Sequence, residues 1–209
     1  MPKNVMLNFK EIRSKSTGLT NLIRKNAEKV LLVLLIVIGM RLGAIMFSSN
    51  LQVSDYTVKI FDFLLGSPIK DVFLILSAVE VAVLLVIFIG GFSACGLPTT
   101  LGLPCIYGGI CSIMSCCAYS VYKINGVFFA IILIVPFAVV TSLLIIIISN
   151  ESLIFTKMII RSLGYGEPSN RGELKLFCLK GISVIAVALI TALIQSLLIT
   201  TIGEKILNI

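Results

Sequence analysis

Residues 30–47 read VLLVLLIVIGMRLGAIMF, an apolar run interrupted by a single charge, Arg41. At ~1.5 Å of rise per residue, a helix of this length nearly crosses a hydrocarbon core ~30 Å thick. The run is too long for the apolar part of a cleavable leader. Comparable runs follow at 72–94, 103–122, 127–148 and 177–202. The expected fold is all-α, a polytopic membrane protein with five transmembrane helices and two short interfacial amphipathic helices. Its parts are a basic cytoplasmic N-terminal segment over 1–29, a five-helix transmembrane domain over 30–202, and a short C-terminal tail over 203–209.

Composition supports a bilayer as the solvent. The 209 residues are 58% hydrophobic and 13% charged, and the mean hydropathy is +1.10. Soluble domains carry roughly 25% charged residues, so too little polar surface exists here to solvate a globule. The net charge of +7 is not a nucleic-acid footprint, because the positive residues cluster beside the apolar runs. There they orient helices and meet anionic headgroups, so membrane lipids are the expected partners and nucleic acid is not. Histidine is absent, which removes the commonest general base and metal ligand. Cys95, Cys105, Cys111, Cys116, Cys117 and Cys178 lie in or beside the apolar runs and read as small, lipid-compatible side chains.

Between the first two runs, Val53, Tyr56, Ile60, Phe61 and Leu64 share one helical face, with Asp55, Lys59 and Asp62 on another. This predicts an amphipathic helix started by Ser54 and ended by Gly66-Ser67-Pro68. A second such helix is expected after the capping signal Ser149-Asn150-Glu151. Its apolar stripe is Leu153, Ile154, Met158 and Leu163, with a stop at Gly164 or Gly166. Lys123, Asn125 and Gly126 predict a tight turn, and Pro136 a kink in the fourth run. The N-terminal segment holds Lys3, Lys10, Arg13, Lys15, Arg24, Lys25 and Lys29, and the loop before the fifth run holds Lys157, Arg161, Arg171, Lys175 and Lys180. With five spans both fall on one side, which predicts a cytoplasmic N-terminus and an outer C-terminus.

Three polar side chains interrupt the runs: Arg41, Glu80 and Gln195. By helical rise they lie roughly 9, 12 and 10 Å from the outer helix ends, a common depth. A charge at mid-bilayer costs at least ~2.5 kcal/mol. Either Arg41 pairs with Glu80 near Gln195, fastening helices one, two and five, or Arg41 snorkels outward and Glu80 stands alone as the neutral acid. Gly39 and Gly43 form a GxxxG step, read as close packing within the chain. No residues form a nucleophilic, metal or phosphate-binding motif, so enzymatic chemistry, cofactors and metals are not expected.

The order of these features resembles the stage II sporulation protein M family of bacterial membrane proteins. The likeness runs over residues 30–202. It rests on Gly39-Met40-Arg41-Leu42-Gly43-Ala44, the amphipathic linker, Gly90-Gly91-Phe92-Ser93-Ala94-Cys95-Gly96-Leu97-Pro98, Pro136, and the closing Leu193-Ile194-Gln195-Ser196-Leu197-Leu198-Ile199-Thr200. At the place of Gln195 the family usually has an acidic residue, so this chain departs from it by the loss of a charge. The resemblance implies a non-enzymatic scaffold in the cell membrane of a spore-forming bacterium. Such a scaffold localises peptidoglycan hydrolases, the stage II sporulation proteins D and P, during forespore engulfment. Asp55, Lys59 and Asp62 are then candidate partner contacts. The competing expectation is a permease-like membrane subunit working with a partner ATPase, suited by the Gly-Pro breaks near 96–104 and the intramembrane charges.

Overall fold

The structure is a computed structural model and describes residues 27–49, 51–93, 96–165 and 171–207. Among these residues it is all-helical. Helix α1 spans Ala27–Ser49. It is followed by α2 (Leu51–Gly66), α3 (Ile69–Gly90), α4 (Gly96–Phe129), a π turn (Ala130–Ile134), α5 (Val135–Tyr165), α6 (Arg171–Leu198), a second π turn (Ile199–Gly203) and α7 (Glu204–Leu207). Four stretches are long and apolar enough to cross a membrane: α1, α3, the 65 residues Gly96–Ile160, and Leu174–Gly203. Most of the basic N-terminal segment, residues 166–170 and the last two residues lie outside the described residues.

The element boundaries follow from local chemistry. Pro68 is extended (φ −63°, ψ 153°) and precedes α3, with the Asp71 amide bonding back to its carbonyl at 2.9 Å. Proline fits a helix start, because it has no N–H to lose. Within α4 the backbone leaves the helix at Lys123 (φ 53°, ψ −123°). A Cβ added at Gly126 would run into the carbonyl oxygen of Ala118. In a straight helix those two positions lie ~12 Å apart, so the chain reverses here, at the turn read from Lys123, Asn125 and Gly126. Positive φ at lysine is the strained member of this turn. Pro136 has no N–H for the preceding turn, and the π turn Ala130–Ile134 sits directly before it. The chain widens there rather than breaking.

Several boundaries differ from the sequence reading: α3 runs Ile69–Gly90 rather than 72–94, and α6 begins at Arg171 rather than 177. The third helix begins at Gly96, not 103. Pro98 falls in its first turn, where no N–H is missed, and Pro104 is carried inside the helix. The second amphipathic helix is not separate, since α5 continues through Ser149, Asn150 and Glu151 to Tyr165. Its polar residues face a neighbouring helix instead of capping. Ser152 Oγ donates to the Ile87 carbonyl at 3.0 Å, and Thr156 Oγ1 to the Gly91 carbonyl at 3.2 Å. The amphipathic α2 does form a helix of its own, beginning at Leu51, so Ser54 lies inside it rather than capping it.

Helices α3, α4, α5 and α6 pack on one another, and α2 closes one end of the bundle. At that end Phe61, Leu64 and Leu65 of α2 join Val72, Cys117, Phe129, Leu133 and Ile199 in a buried cluster. A second cluster, centred on Leu84, Ile87, Tyr107, Ile145, Ile148 and Ala188, fills the opposite half. Beyond it lies an aromatic group, with Phe155 and Phe177 stacked at 4.7 Å and Phe88 stacked on Phe177 at 4.9 Å. Two ion pairs border this end: Lys157 with Glu28, and Lys180 with Glu151 at 2.7 Å. The first ties the start of α1 to the far end of α5. Helix α1 lies against α4, where a Cβ at Gly39 or Gly43 would meet the carbonyl of Cys105 or Gly109, and one at Gly108 the carbonyl of Ile36. The GxxxG step therefore packs within the chain.

Candidate functional site

A hydroxyl buried in an apolar helix must find an acceptor, and the nearest is the carbonyl three or four residues earlier. Most hydroxyls here take that route: Thr57 to Val53, Ser77 to Leu74, Thr100 to Gly96, Thr191 to Val187 and Ser196 to Leu193, at 2.6–3.2 Å. Thr141 does not. Its Oγ1 crosses from α5 to α3 and donates to Glu80 Oε1 at 3.0 Å. Threonine in an apolar helix is otherwise unremarkable, so this bond singles out Glu80.

Glu80 is buried, with 6% of its surface exposed. Its second oxygen, Oε2, has no hydrogen-bond partner. Burying such an acceptor unpaired costs several kcal/mol in an apolar medium. The carboxyl lines a cavity of about 320 Å³. The walls come from α2 (Phe61, Leu64), α3 (Leu76, Glu80), α4 (Tyr107, Met114), both π turns (Ile134, Ile199) and α6 (Gln195). The surface is overwhelmingly apolar, and its polar groups are the Glu80 carboxyl, the Tyr107 hydroxyl, the Cys111 thiol and the Gln195 amide. π turns are rare and recur at functional sites, because they re-aim side chains without ending the helix. Two of them contribute to this one wall.

The three intramembrane polar residues are thus divided. Glu80 and Gln195 line the same cavity. Arg41 is exposed on α1 and forms no ion pair with Glu80. Helical phase explains the separation. Arg41 is two residues from Gly39, about 200° around the axis, so while Gly39 faces α4, Arg41 faces outward. Equal depth in the bilayer did not imply a shared face. Asp55, Lys59 and Asp62 lie exposed on α2, with Lys59 Nζ 5.9 Å from the centre of the Tyr56 ring. Sequence reading missed Thr141, Tyr107 and Cys111. The available signal was the Thr141-Ser142 pair, the sole hydroxyls in the run 127–148.

Among the described residues, no group of three His, Cys, Asp or Glu side chains is placed to hold a metal ion. The cavity chemistry is that of a hydrogen-bonding or charge-pairing pocket in an apolar wall. No family model matches the chain, and no curated protein or solved structure matches it.

Proposed function

We propose that the chain crosses a bacterial cell membrane five times, N-terminus inside and C-terminus outside, as a non-enzymatic scaffold of the stage II sporulation protein M type. The reversal at Lys123 supports the five-span count. Run straight, the 65-residue stretch Gly96–Ile160 would reach ~98 Å, three times the hydrocarbon thickness. Lys157 and Lys180 share one end with Glu28 of α1 through their ion pairs. Lys59, Lys70 and Lys123 belong to the opposite end, with α2 and the α4 reversal. Among the described residues, Lys29, Arg161, Arg171 and Lys175 join Lys157 and Lys180 at the first end, against Lys59, Lys70, Lys123 and Lys205 at the other, and this excess of six over four supports the first end as cytoplasmic.

The observation carrying the scaffold reading is α2. Its apolar face is committed to the bundle through Phe61, Leu64 and Leu65. Its polar face, with Asp55, Lys59 and Asp62, is exposed. A helix fixed in this way offers outer partners a surface without giving up its own anchorage. The partners in this reading are the membrane-anchored wall hydrolases, the stage II sporulation proteins D and P. Deleting the gene in the native host is expected to stop forespore engulfment and scatter fluorescently tagged hydrolases from the engulfing membrane. Replacing Asp55, Lys59 and Asp62 together by serine is expected to scatter the hydrolases while the protein still inserts. Normal engulfment in the deletion strain overturns the reading. A permease-like subunit with a partner ATPase is favoured instead by the cavity at Glu80, and stable co-purification of an ATPase would select it.

A further inference from the structure

Glu80 presents a problem that the rest of the chain leaves unsolved. One carboxyl oxygen is held by Thr141 and the other is buried without a partner. The residue lines a cavity with room for a small molecule. No lysine or arginine lines that cavity, and Arg41, the intramembrane cation, faces away from it on α1. Aromatic rings of Phe61, Tyr107 and Phe129 form part of the wall. Such rings attract cations through their negative faces. Ile60, Val79 and Ile110 line the cavity and are also exposed at the outer surface of the bundle. The cavity therefore communicates sideways, between α2, α3 and α4, with the lipid-facing surface.

We propose that this cavity binds an apolar molecule bearing a single ammonium head, taken up from the bilayer. The head donates to Glu80 Oε2, the apolar body lies against the aliphatic and aromatic walls, and Gln195 offers its amide to a polar edge of the ligand. An ammonium adds to its hydrogen bond a charge–charge attraction to the carboxylate that a hydroxyl lacks. The same body carrying a neutral hydroxyl is therefore the discriminating comparison. The inference is independent of the scaffold reading, because it concerns the interior of the bundle and not α2's exposed face.

The full chain in phosphatidylcholine nanodiscs tests it by equilibrium dialysis against radiolabelled phenylbutylammonium and its neutral counterpart phenylbutanol, with empty nanodiscs subtracted. The wild type is expected to hold the ammonium at least ten-fold more tightly than the alcohol. Glu80→Gln keeps the size and an acceptor for Thr141, and is expected to remove that preference. Ala138→Leu, which fills the cavity from α5, is expected to weaken both probes and keep the preference. Equal affinity of the wild type for the two probes, binding of neither, or undiminished ammonium binding by a folded Glu80→Gln protein would each overturn the proposal. The wild-type comparison stands whether or not either variant folds.

Discussion

The seam between α1 and α4 and the aromatic end of the bundle hold helices together by opposite means. At the seam, side chains are removed: Gly39 and Gly43 bring α1 against the backbone of Cys105 and Gly109 with no space for a methyl group. At the other end, side chains are added. Phe88, Phe92, Phe155 and Phe177 form a contiguous ring cluster with centroids 4.7–5.5 Å apart, flanked by the Ser152 and Thr156 bonds to α3. Lipid tails are as apolar as leucine, so a membrane gives helices little hydrophobic reason to associate. What remains is contact, and contact grows either by closer backbones or by larger, matched surfaces. A backbone seam has no side chain to yield. A ring cluster can relax around a loss.

The largest expected effect breaks the seam. Gly39→Val places its branched side chain into the Cys105 carbonyl and is expected to cost about 3 kcal/mol or more, read as unfolding in mixed micelles titrated with sodium dodecyl sulfate. A change under 1 kcal/mol would mean that the two backbones separate freely. Next is Phe177→Ala, which deletes the ring stacked on Phe155 at 4.7 Å and on Phe88 at 4.9 Å. In an aqueous core such a truncation costs ~3–5 kcal/mol. Here the transfer contribution falls away, and about 2 kcal/mol is expected by the same titration. Thr156→Val keeps the shape but loses the bond to the Gly91 carbonyl, for roughly 0.6 kcal/mol, the average for interhelical polar contacts in membranes. The smallest effect sharpens the seam's asymmetry. A Cβ at Gly109 would sit at an ordinary 3.5 Å from the Gly39 carbonyl, so Gly109→Ala is expected to change stability by no more than about 0.5 kcal/mol. A loss comparable to that of Gly39→Val would show that both sides of the seam are equally tight.

The same contrast explains what could be read from the sequence. The apolar runs, the reversal at Lys123, the break at Gly66-Ser67-Pro68 and the packing glycines of α1 are written in local residue choices, and the structure follows them. The continuation of α5 past Ser149 was not legible. Ser-Asn-Glu is a sound start signal when its hydroxyl caps its own backbone. It ceases to be one when the following hydroxyls, Ser152 and Thr156, are satisfied by the Ile87 and Gly91 carbonyls some 65 residues away. The site was half legible. Glu80 and Gln195 stand out as polar residues in apolar runs, and they do meet at one cavity. Arg41 joined them by depth alone, and helical phase, read against Gly39, places it on the other face. Thr141 carried only the weak signal of a hydroxyl pair in an apolar run, because its partner Glu80 lies across the helix interface.

The two π turns carry one more consequence. An i→i+5 turn accommodates one residue more than an α turn while the helix axis continues. Ala130–Ile134 and Ile199–Gly203 are therefore places where the chain stores slack, a residue in surplus of the register. Elsewhere in these helices, losing one residue swings everything beyond it by about 100° and carries Thr141 away from Glu80. Inside Ala130–Ile134, one residue can be given up by tightening the turn, and the far half of the helix keeps its heading.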